Sequence, residues 1–453
     1  MKKEILEKVL NANKNLIVDG EISSGKTTNI LLPIVGEKIK AKESLIILDS
    51  KEEYLNKYSK ELKDNGYNVL ILNFRDLDKS EGWNPLEYPY VLYNSGNMDK
   101  AIEYLDRIAS LMFYENSSTD PFWAMTASDF FTGVTLGLFE DAKLDEVNLN
   151  SVNVMFDGIN NRYGATDYIT EYFKSKSPTS KAYISASTTF LAPKDTKGSI
   201  LSVARQKLRL FISREKLSHL LSKTTFKYSD CMTNPTAIFL IGKDESKYIN
   251  TISAMFIEQF FQVLVDNKSA NKYNIILDNI DSIDYIMNFS DMLGSGIARN
   301  IKFYIGTRSI EDLNNKYGSY INKLSTIIRI KPTKLEIEQS TEKEEVDKDF
   351  IDVKIPETEI EYPTVAINPI KLFDLESFVK ESKNNRIQEM MSDGNNPFQS
   401  NNQFEPTSND KIEELIKKID AKIAELEIEE NNNKLNKDKT EIKSELSEFK
   451  VEE

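Results

Sequence analysis

The sequence predicts an α/β protein with a mostly parallel sheet, an all-helical insertion and an acidic carboxyl-terminal tail. Short apolar runs alternate with amphipathic helix patterns over about the first 90 residues, and helical periodicity replaces them between residues 97 and 190. Residues 331–453 carry 18 Lys and Arg against 31 Asp and Glu. A strand, a helix and a further strand in succession indicate parallel strands joined by helical crossovers, which is the basis for the fold class.

A phosphate-binding loop follows the first predicted strand. Residues 20–27 read GEISSGKT, a match to G-x-x-x-x-G-K-[ST], between an apolar run at 15–18 and a helix pattern at 28–40. Glycines permit the tight turn, and backbone N–H groups near the helix start point at phosphate oxygens. Lys26 is expected to reach the β- and γ-phosphates of ATP, and the Thr27 hydroxyl to hold Mg²⁺. The expected nucleotide-binding residues are Gly20, Ser23, Ser24, Gly25, Lys26, Thr27 and Thr28.

Further strands and helices define the expected domains. An apolar run at 45–48 ends in Asp49 and another at 69–72 ends in Asn73, with an amphipathic helix pattern at 54–65 between them. After the insertion, a long helix is predicted at 249–265, and the remaining strand candidates are 237–241, 274–277, 303–305 and 325–330. The expected division is 1–96 and 191–335 for the two parts of a nucleotide-binding domain, 97–190 for the helical insertion and 336–453 for the charged tail.

The tail is expected to contain a disordered linker and a short helix. Residues 384–409 are rich in Asn and Ser, a composition typical of disordered segments. A stripe of apolar residues at heptad spacing follows, formed by Ile412, Ile416, Ile419, Ile423 and Leu426. Two heptads are marginal alone, so the stripe fits either a weak coiled coil with a partner or a solvated helix.

Composition excludes several classes of site. One cysteine, Cys231, permits no intrachain disulfide and no thiolate zinc cluster. The chain has one histidine, His219, so a histidine-based metal site or catalytic triad is not expected. We expect His219 to be a partly buried residue of a helix. The chain shows no signal peptide and no run of about 18 apolar residues, which predicts a cytoplasmic protein that reaches a membrane only through a partner or through an anchor missing here.

A local basic cluster lies within this acidic chain. The tail holds a net charge of −13 at residues 331–453, close to the −14 of the whole chain, so the remainder is nearly neutral. Between residues 194 and 227, nine basic residues face only Asp195 and Glu215. We expect Lys207, Arg209 and Arg214 to contact DNA phosphates with little sequence preference. The alternative is a helix whose basic side chains pair with the tail or with neighbouring subunits.

Several further motifs accompany the phosphate-binding loop in a fixed order. Residues 49–53 read DSKEE after the second strand, residues 82–86 read GWNPL after the third, and residues 120–123 read DPFW at the start of the insertion. Residues 198–202 read GSILS and lead into Arg205. Over roughly residues 14–330 this arrangement resembles the coupling proteins of type IV secretion and conjugation systems. A DNA-packaging or chromosome-pumping ATPase of the same superfamily fits the WNPL and DPFW segments less well.

The resemblance implies a fold, cofactors and partners. The fold would be a RecA-like P-loop NTPase motor domain carrying the all-helical insertion, with ATP and Mg²⁺ as cofactors. Such proteins form hexameric homo-oligomeric rings that translocate DNA and link a relaxase–DNA substrate to the secretion channel. Coupling proteins usually carry transmembrane helices before the motor domain, whereas here the loop begins at residue 20. Recruitment to the inner face of the cell membrane would therefore depend on partners.

Two positions near the expected hydrolytic water depart from the family. Asp278 matches the first residue of the family's second acidic motif and is expected to hold Mg²⁺ through water, but Asn279 replaces the Glu that polarises the attacking water. Arg308 replaces a Gln at the end of the next strand. Loss of a general base typically costs about 10²–10⁴-fold in rate, so we expect a slow ATPase. The alternative is a hydrolysis-deficient scaffold that partners an active paralogue.

Two arginines are candidate catalytic residues acting between subunits. In a ring, Arg299 or Arg205 would reach the nucleotide of a neighbour as an arginine finger, by analogy with the family. The alternative for each is a surface salt bridge.

Overall fold

A computed structural model describes residues 3–113, 121–242, 247–331, 334–339, 342–347, 360–364 and 368–392. The strands are β1 (Asn15–Asp19), β2 (Ser44–Leu48), β3 (Asn68–Asn73), β4 (Arg162–Tyr163), β5 (Thr166–Asp167), β6 (Thr236–Ile241), β7 (Tyr273–Leu277), β8 (Ile301–Thr307), β9 (Ser325–Ile330), β10 (Lys334–Gln339) and β11 (Glu342–Asp347). The helices are α1 (Lys3–Asn11), α2 (Leu32–Lys40), α3 (Glu53–Asp64), α4 (Glu87–Asn94), α5 (Met98–Phe113), α6 (Phe122–Asp141), α7 (Leu149–Asp157), α8 (Tyr168–Lys174), α9 (Lys181–Phe190), α10 (Lys194–Ile212), α11 (Glu215–Leu220), α12 (Tyr228–Thr233), α13 (Lys247–Asp266), α14 (Phe289–Ile297), α15 (Ile310–Tyr317) and α16 (Leu375–Ser392).

A nine-stranded sheet forms the centre of the described structure, in the order β11-β10-β9-β1-β8-β7-β2-β6-β3. The run from β9 to β3 is parallel, and β10 and β11 are antiparallel at one edge. The parallel strands are the strands that the sequence predicted, which confirms the fold class. β8 lies between β1 and β7, and β2 lies on the far side of β7. The residues that follow these four strands therefore meet at one edge of the sheet.

Helices cover both faces of the parallel sheet, which explains why its strands read as continuous apolar runs. Successive side chains of a strand point to opposite faces, so each strand contributes to two cores. On β1, Ile17 packs into the core beneath the helical layer, and Leu16 and Val18 pack into the core beneath α2 and α3. These three side chains are at most 1% exposed.

The helices between β3 and β6 form a layer built around α6. Gly133 and Gly137 allow close packing on that helix, because an added Cβ would lie 2.5 Å from the Ala186 nitrogen or 2.6 Å from the Tyr172 hydroxyl. α10 packs against α6 and α7, so the helical layer continues beyond residue 190, and helices persist to Thr233. The insertion was predicted to be all-helical, but it also contains a short antiparallel pair of strands, β4 and β5, of two residues each. The domain boundaries themselves stay a prediction.

The WNPL segment joins β3 to the helical layer. Trp83 is buried, and its ring nitrogen donates a hydrogen bond to the Tyr228 hydroxyl at 3.1 Å. The Asn84 carboxamide donates to the carbonyls of Val147 at 2.7 Å and Ser222 at 3.2 Å. Its oxygen accepts from the Leu86 amide at 3.0 Å. Asn84 is therefore a buried connector whose donors and acceptor are all engaged.

The described part of the tail packs against the rest of the chain. Near the turn between β2 and α3, the Tyr362 hydroxyl donates to the Glu52 carboxylate at 2.8 Å. Further along, the Phe373 amide donates to the Ser151 hydroxyl at 3.1 Å, and the Phe378 and Tyr172 rings lie 5.4 Å apart. The tail thus contacts first the sheet side and then the helical layer.

Part of the predicted disordered linker is helical. Residues 384–392 belong to α16, so the prediction of disorder at 384–409 is wrong for them. Leu375 and Val379 are buried in the first turns of α16, and this helix packs on α8. A docked first turn supplies the nucleus from which a polar helix propagates, and composition alone does not show that docking. The rest of the predicted linker and the heptad stripe at 412–426 lie outside the described residues.

The single histidine lies on a helix and is partly buried, as the sequence suggested. His219 is half-buried on α11, and Cys231 is a buried free thiol whose pKa burial raises to about 12. Within the described ranges, no helix is long and apolar enough to cross a membrane.

Substituting Asn84 tests the connector. Asn84→Ala would leave the Val147 and Ser222 carbonyls and the Leu86 amide without their partner, and we expect a loss of about 1–3 kcal/mol in the free energy of unfolding. Urea denaturation followed by circular dichroism measures this loss. Gln206→Ala, at an exposed position on α10 where the carboxamide makes no hydrogen bond to the described residues, is the control and should change stability by no more than about 0.5 kcal/mol. Equal midpoints for the two variants would contradict the connector role.

Candidate nucleotide-binding site

A pocket of ≈ 200 Å³ opens at the carboxyl edge of the sheet, where β1, β2, β7 and β8 end. The phosphate-binding loop forms one wall, and the turn between β2 and α3 forms the other. The lining residues are Ile22, Ser23, Lys26, Thr27, Leu48, Asp49, Ser50, Lys51, Glu53, Tyr54, Asp278, Asn279 and Arg308.

The loop has the backbone shape of a phosphate cradle. Ser23 and Gly25 have positive φ angles of 62° and 91°. Gly20 is required for a different reason, because its φ is not positive. An added Cβ at this position would lie 2.7 Å from the Ser24 hydroxyl oxygen, so the loop has no room for a side chain there. That oxygen is buried and has no hydrogen-bond partner among the described residues. The loop therefore holds a polar atom for which the surrounding protein provides no partner.

A helix begins at the end of the loop, as predicted. Thr27–Leu31 form a turn of π-helix before α2, and the Leu32 amide donates to the Thr27 carbonyl. Pro33 lacks an N–H group and cannot donate to the residue four positions earlier, which favours the wider turn. The first N–H groups of a helix have no intrahelical acceptor. Those around Thr27 and Thr28 are thus available to an anion.

The Lys26 ammonium lies inside the loop. It donates hydrogen bonds to the carbonyl oxygens of Gly20 at 2.5 Å and Glu21 at 2.9 Å. Burial lowers the pKa of Lys26, and the nearby Asp278 and Asp281 carboxylates oppose that shift. A phosphate group entering the loop would offer this cation a charged acceptor in place of two neutral carbonyls.

Thr27 and Asp278 meet across an intervening strand. The Thr27 hydroxyl donates to the Asp278 carboxylate at 2.6 Å, and the Tyr54 hydroxyl donates to the same oxygen at 2.9 Å. Burial raises the pKa of Asp278, and the two hydroxyl hydrogen bonds counter this effect. The expected pair of metal-holding residues is thus brought together.

These oxygens fit a Mg²⁺ ion that takes most of its ligands from elsewhere. Mg²⁺ binds oxygen and is commonly held by one or two protein groups with phosphates and water. Within the described ranges, no group of three or more His, Cys, Asp or Glu side chains is arranged to hold a metal ion. The Thr27 hydroxyl and the Asp278 carboxylate would supply the protein's share, and the ion would neutralise phosphate charge.

Gly306 makes the contact between Thr27 and Asp278 possible, a role that was not predicted from the sequence. It lies on β8, the strand between β1 and β7. A Cβ at this position would lie 2.9 Å from Asp278 Oδ1 and 3.2 Å from Leu31 Cδ1. Gly306 lies on the strand next to both β1 and β7, and this position indicates its role. It can be recognised only when the strand order is known.

The two positions that depart from the family contact each other. Arg308 donates through Nε to the Asn279 carboxamide oxygen at 3.3 Å. Asn279 has a φ of 60°, a left-handed conformation that Asn tolerates better than most residues. Its amide oxygen is a hydrogen-bond acceptor but too weak a base to take a proton from water. The two changes therefore form one altered unit beside the pocket.

Nearby aspartates are occupied with structural hydrogen bonds. Asp281 accepts from the Thr307 hydroxyl at 2.9 Å and from the Arg308 amide at 2.7 Å, so it caps the turn after β8. Asp49, buried at the end of β2, accepts from the Leu55 amide at 2.8 Å and thereby caps α3. Burial raises the pKa of Asp49 to about 7, and the backbone N–H groups of α3 oppose this shift.

The sequence assigned no chemical role to the turn after β2, yet two of its charged residues line the pocket. Lys51 and Glu53 lie there together. Burial raises the pKa of Glu53, while the Lys51 charge lowers it. Both residues follow β2, which neighbours β7, and parallel strands end at a common edge. This position would have predicted that they line the pocket.

The two arginine-finger candidates lie outside this pocket. Arg205, on α10, donates to the Phe156 carbonyl at 2.9 Å and pairs with Asp157 at 3.1 Å. Arg299 is exposed and follows α14, and it donates to the Ser295 carbonyl at 2.9 Å. It precedes β8 and therefore lies at the opposite edge of the sheet from the pocket. A finger role for either arginine would act on another subunit and stays a prediction.

The basic cluster is partly neutralised within the chain. Lys197 pairs with Asp167 at 3.2 Å, and Lys216 pairs with Asp78 at 2.5 Å. The three DNA-binding candidates lie in and just after the last turns of α10, where Arg209 and Arg214 are exposed and Lys207 is half-buried. Their role in binding DNA stays a prediction.

Comparisons with known proteins give a family and similar folds. A family model described as type IV secretory system conjugative DNA transfer matches residues 9–348. The fold is similar to that of the bacterial conjugative coupling protein TrwBdeltaN70 in complex with sulphate, at 12% identity and a TM-score of 0.51 over 74% of this chain and 77% of that chain. It is also similar to the plasmid coupling protein TrwB with the ATP analogue ADPNP, at 12% identity and a TM-score of 0.52, and with ADP and Mg²⁺, at 13% identity and a TM-score of 0.51. Each of these two matches covers 74% of this chain and 78% of the other. Among curated protein sequences, none matches the chain significantly.

Substituting Gly306 tests the contact across β8. Gly306→Ala should displace the Asp278 carboxylate and weaken ATP binding in the presence of Mg²⁺ by about 10- to 100-fold, as expected when a neighbour of a metal-holding group is changed. Binding of ATP in EDTA should be almost unchanged. Isothermal titration calorimetry under both conditions measures the difference.

Gly294→Ala is the matched control, because its Cβ would meet only the Leu324 methyl groups, the nearest at 3.7 Å. If Gly306→Ala bound MgATP as tightly as this control, the role assigned to Gly306 would be wrong.

Proposed function

The chain belongs to the type IV secretory system conjugative DNA transfer family, and on that premise we propose that it is a nucleotide-driven coupling protein. In this proposal it binds ATP and Mg²⁺ in the pocket at the carboxyl edge of the sheet. It links a relaxase–DNA substrate to the secretion channel, and partners hold it at the cytoplasmic face of the membrane.

One observation carries the nucleotide part of the proposal. The Thr27 hydroxyl and the Asp278 carboxylate lie 2.6 Å apart at the mouth of a phosphate-binding loop, with the Lys26 ammonium inside that loop. A loop, a cation and a pair of hard oxygen ligands are what a nucleotide with a divalent metal ion requires. The structures of TrwB with ADPNP and with ADP and Mg²⁺ support the same ligands.

The residues have distinct roles in this proposal. The N–H groups of the loop and the Lys26 ammonium bind the phosphates, and the Ser24 hydroxyl, buried and without a hydrogen-bond partner among the described residues, is a further donor. Mg²⁺ would neutralise phosphate charge, held by Thr27 and Asp278. Tyr54 donates to Asp278 and orients it.

A homo-oligomeric ring is part of the proposal, with a neighbouring subunit packed against the open side of the pocket. Ile22 lies at the lip of the loop with 71% of its surface exposed, so a subunit packed against the open side of the pocket would bury it. A neighbouring subunit would cover it and bring an arginine toward the nucleotide. Arg299 and Arg205 are the candidates, and a hexamer is the ring that the family resemblance favours.

DNA and transfer proteins are the proposed partners of the remaining surfaces. The end of α10 offers Lys207, Arg209 and Arg214 for contacts with phosphates. The helical layer, from about residue 97, would contact the relaxase or another transfer protein. In this division the sheet and its flanking helices form the motor.

A second candidate function has one observation in its favour. Asn279 occupies the position next to Asp278 and accepts a hydrogen bond from Arg308, so neither residue offers a base to water. A protein that assembles with ATP and does not hydrolyse it would tolerate this arrangement. It would act as a nucleotide-binding scaffold beside an active paralogue.

The first experiment compares ATP binding with ATP turnover. Lys26→Ala should lower ATP affinity by about 100-fold or more, because it removes a charged donor to the phosphates. Lys40→Ala, an exposed lysine on α2, is the charge-matched control. Wild-type turnover is then measured with and without single- and double-stranded DNA. The motor predicts a turnover that DNA changes, and binding without turnover supports the scaffold. Equal ATP affinity for wild type and Lys26→Ala contradicts both candidates.

The second experiment concerns DNA. Substituting Lys207, Arg209 and Arg214 together with Ala should weaken binding and flatten its salt dependence by up to about three phosphate contacts, each contributing a log–log slope of about −0.9 on duplex. Fluorescence anisotropy across a salt series measures both quantities. The triple variant Lys40→Ala, Lys60→Ala, Lys63→Ala removes the same charge from exposed positions on α2 and α3 and is the control. If both triple variants had the same slope, the DNA path would lie elsewhere.

A further inference from the structure

The proposed function leaves one chemical group unassigned, and the inference drawn here rests on that proposed function. Hydrolysis of ATP requires an acceptor for the proton of the attacking water. Asn279, next to Asp278, offers a neutral amide held by Arg308. If this chain turns over ATP, the acceptor must come from elsewhere in the pocket.

Three carboxylates line the pocket, and two of them have other partners. Asp278 accepts hydrogen bonds from Thr27 and Tyr54. Asp49 caps α3 through the Leu55 amide. The third is Glu53, and its carboxylate makes no hydrogen bond within the described part of the chain. Among these three, it is therefore the carboxylate whose two oxygens both have lone pairs available to a water, as far as the described residues show.

Strand order places Glu53 on the correct side of the pocket. The phosphate-binding loop follows β1, and Glu53 follows β2, with β8 and β7 between these strands. A γ-phosphate held by Lys26 would project from the loop toward the wall that contains Glu53. A water between them has the phosphorus on one side and a carboxylate on the other. Lys51, on the same turn, adds positive charge near that phosphate.

Two contacts fix the turn that carries Glu53. Asp49 caps the first turn of α3, where Glu53 is the first residue. Glu52 has a φ of 61°, a left-handed conformation that is strained for a glutamate. Its carboxylate accepts from the Tyr362 hydroxyl at 2.8 Å, so the tail holds the turn in this shape. A positioned base is what general-base catalysis requires.

We propose that Glu53 is the general base of ATP hydrolysis in this chain, in place of the glutamate that Asn279 lacks. The water oxygen bonds to the γ-phosphorus as the bond from that phosphorus to the bridging oxygen of ADP breaks. The water proton passes to the Glu53 carboxylate and then to solvent. The products are ADP, with the bond electrons on its terminal phosphate, and inorganic phosphate.

The test separates binding from chemistry in the full-length chain. Glu53→Gln keeps the shape of the side chain and removes its basicity, so kcat should fall by about 10²–10⁴-fold while ATP affinity stays within about threefold of wild type. Glu61→Gln, on the same helix and outside the pocket, should leave both quantities unchanged. Affinity is measured by isothermal titration calorimetry and kcat by phosphate release.

A second variant tests for the missing base directly. Glu53→Ala opens space where the carboxylate lay, and added formate should restore part of its turnover by supplying a small base. Formate should not restore the turnover of Lys26→Ala, which lacks a phosphate-binding group. A merely structural role for Glu53 would give no response to formate.

The outcomes distinguish this inference from the proposed function. If wild type does not bind ATP, the proposed function fails. If wild type binds and hydrolyses ATP and Glu53→Gln keeps its kcat, the proposed function stands and the role of Glu53 is wrong. Binding without turnover in wild type also overturns the role of Glu53, since no base then operates. Loss of ATP affinity in Glu53→Gln would assign the residue to binding instead.

Discussion

The hydrogen bond between Thr27 and Asp278 is the interaction on which the site depends. It joins the loop after β1 to the end of β7, although β8 lies between them. The two side chains meet only because Gly306 leaves the intervening position without a side chain. Once they meet, a cation and a hydroxyl–carboxylate pair share one small pocket, and low exposure strengthens every electrostatic interaction there.

Buried and half-buried hydrogen bonds connect the sheet, the helical layer and the tail. Asn84 ties the exit of β3 to the helical layer through two carbonyls. The tail contacts Glu52, beside the pocket, and then Ser151 in the helical layer. Because a buried polar group without its partner costs about 1–3 kcal/mol, these contacts restrict how the layers shift relative to one another.

The altered positions beside Asp278 have a common physical explanation. Asn279 adopts a left-handed conformation that suits Asn, and its amide oxygen accepts a hydrogen bond from Arg308. A carboxylate at the same place would form an ion pair with that guanidinium, which would lower its basicity. Because neither residue of this pair can accept a proton from water, the base that we propose is Glu53, which lies on the turn after β2 at another wall of the pocket.

The sequence by itself determined the parallel sheet, the phosphate-binding loop and the family, because apolar runs and the GEISSGKT motif are local patterns that neighbouring residues specify. It also pointed to Asp278 through the strand before it. Only the tertiary structure decided what surrounds these motifs. The roles of Gly306, Glu53 and Asn84 depend on strand order and on contacts between residues far apart in the chain, and the docking of α16 depends on an apolar surface on α8. The composition of a segment does not show which distant residues it packs against. The prediction of a disordered linker was therefore wrong at residues 384–392.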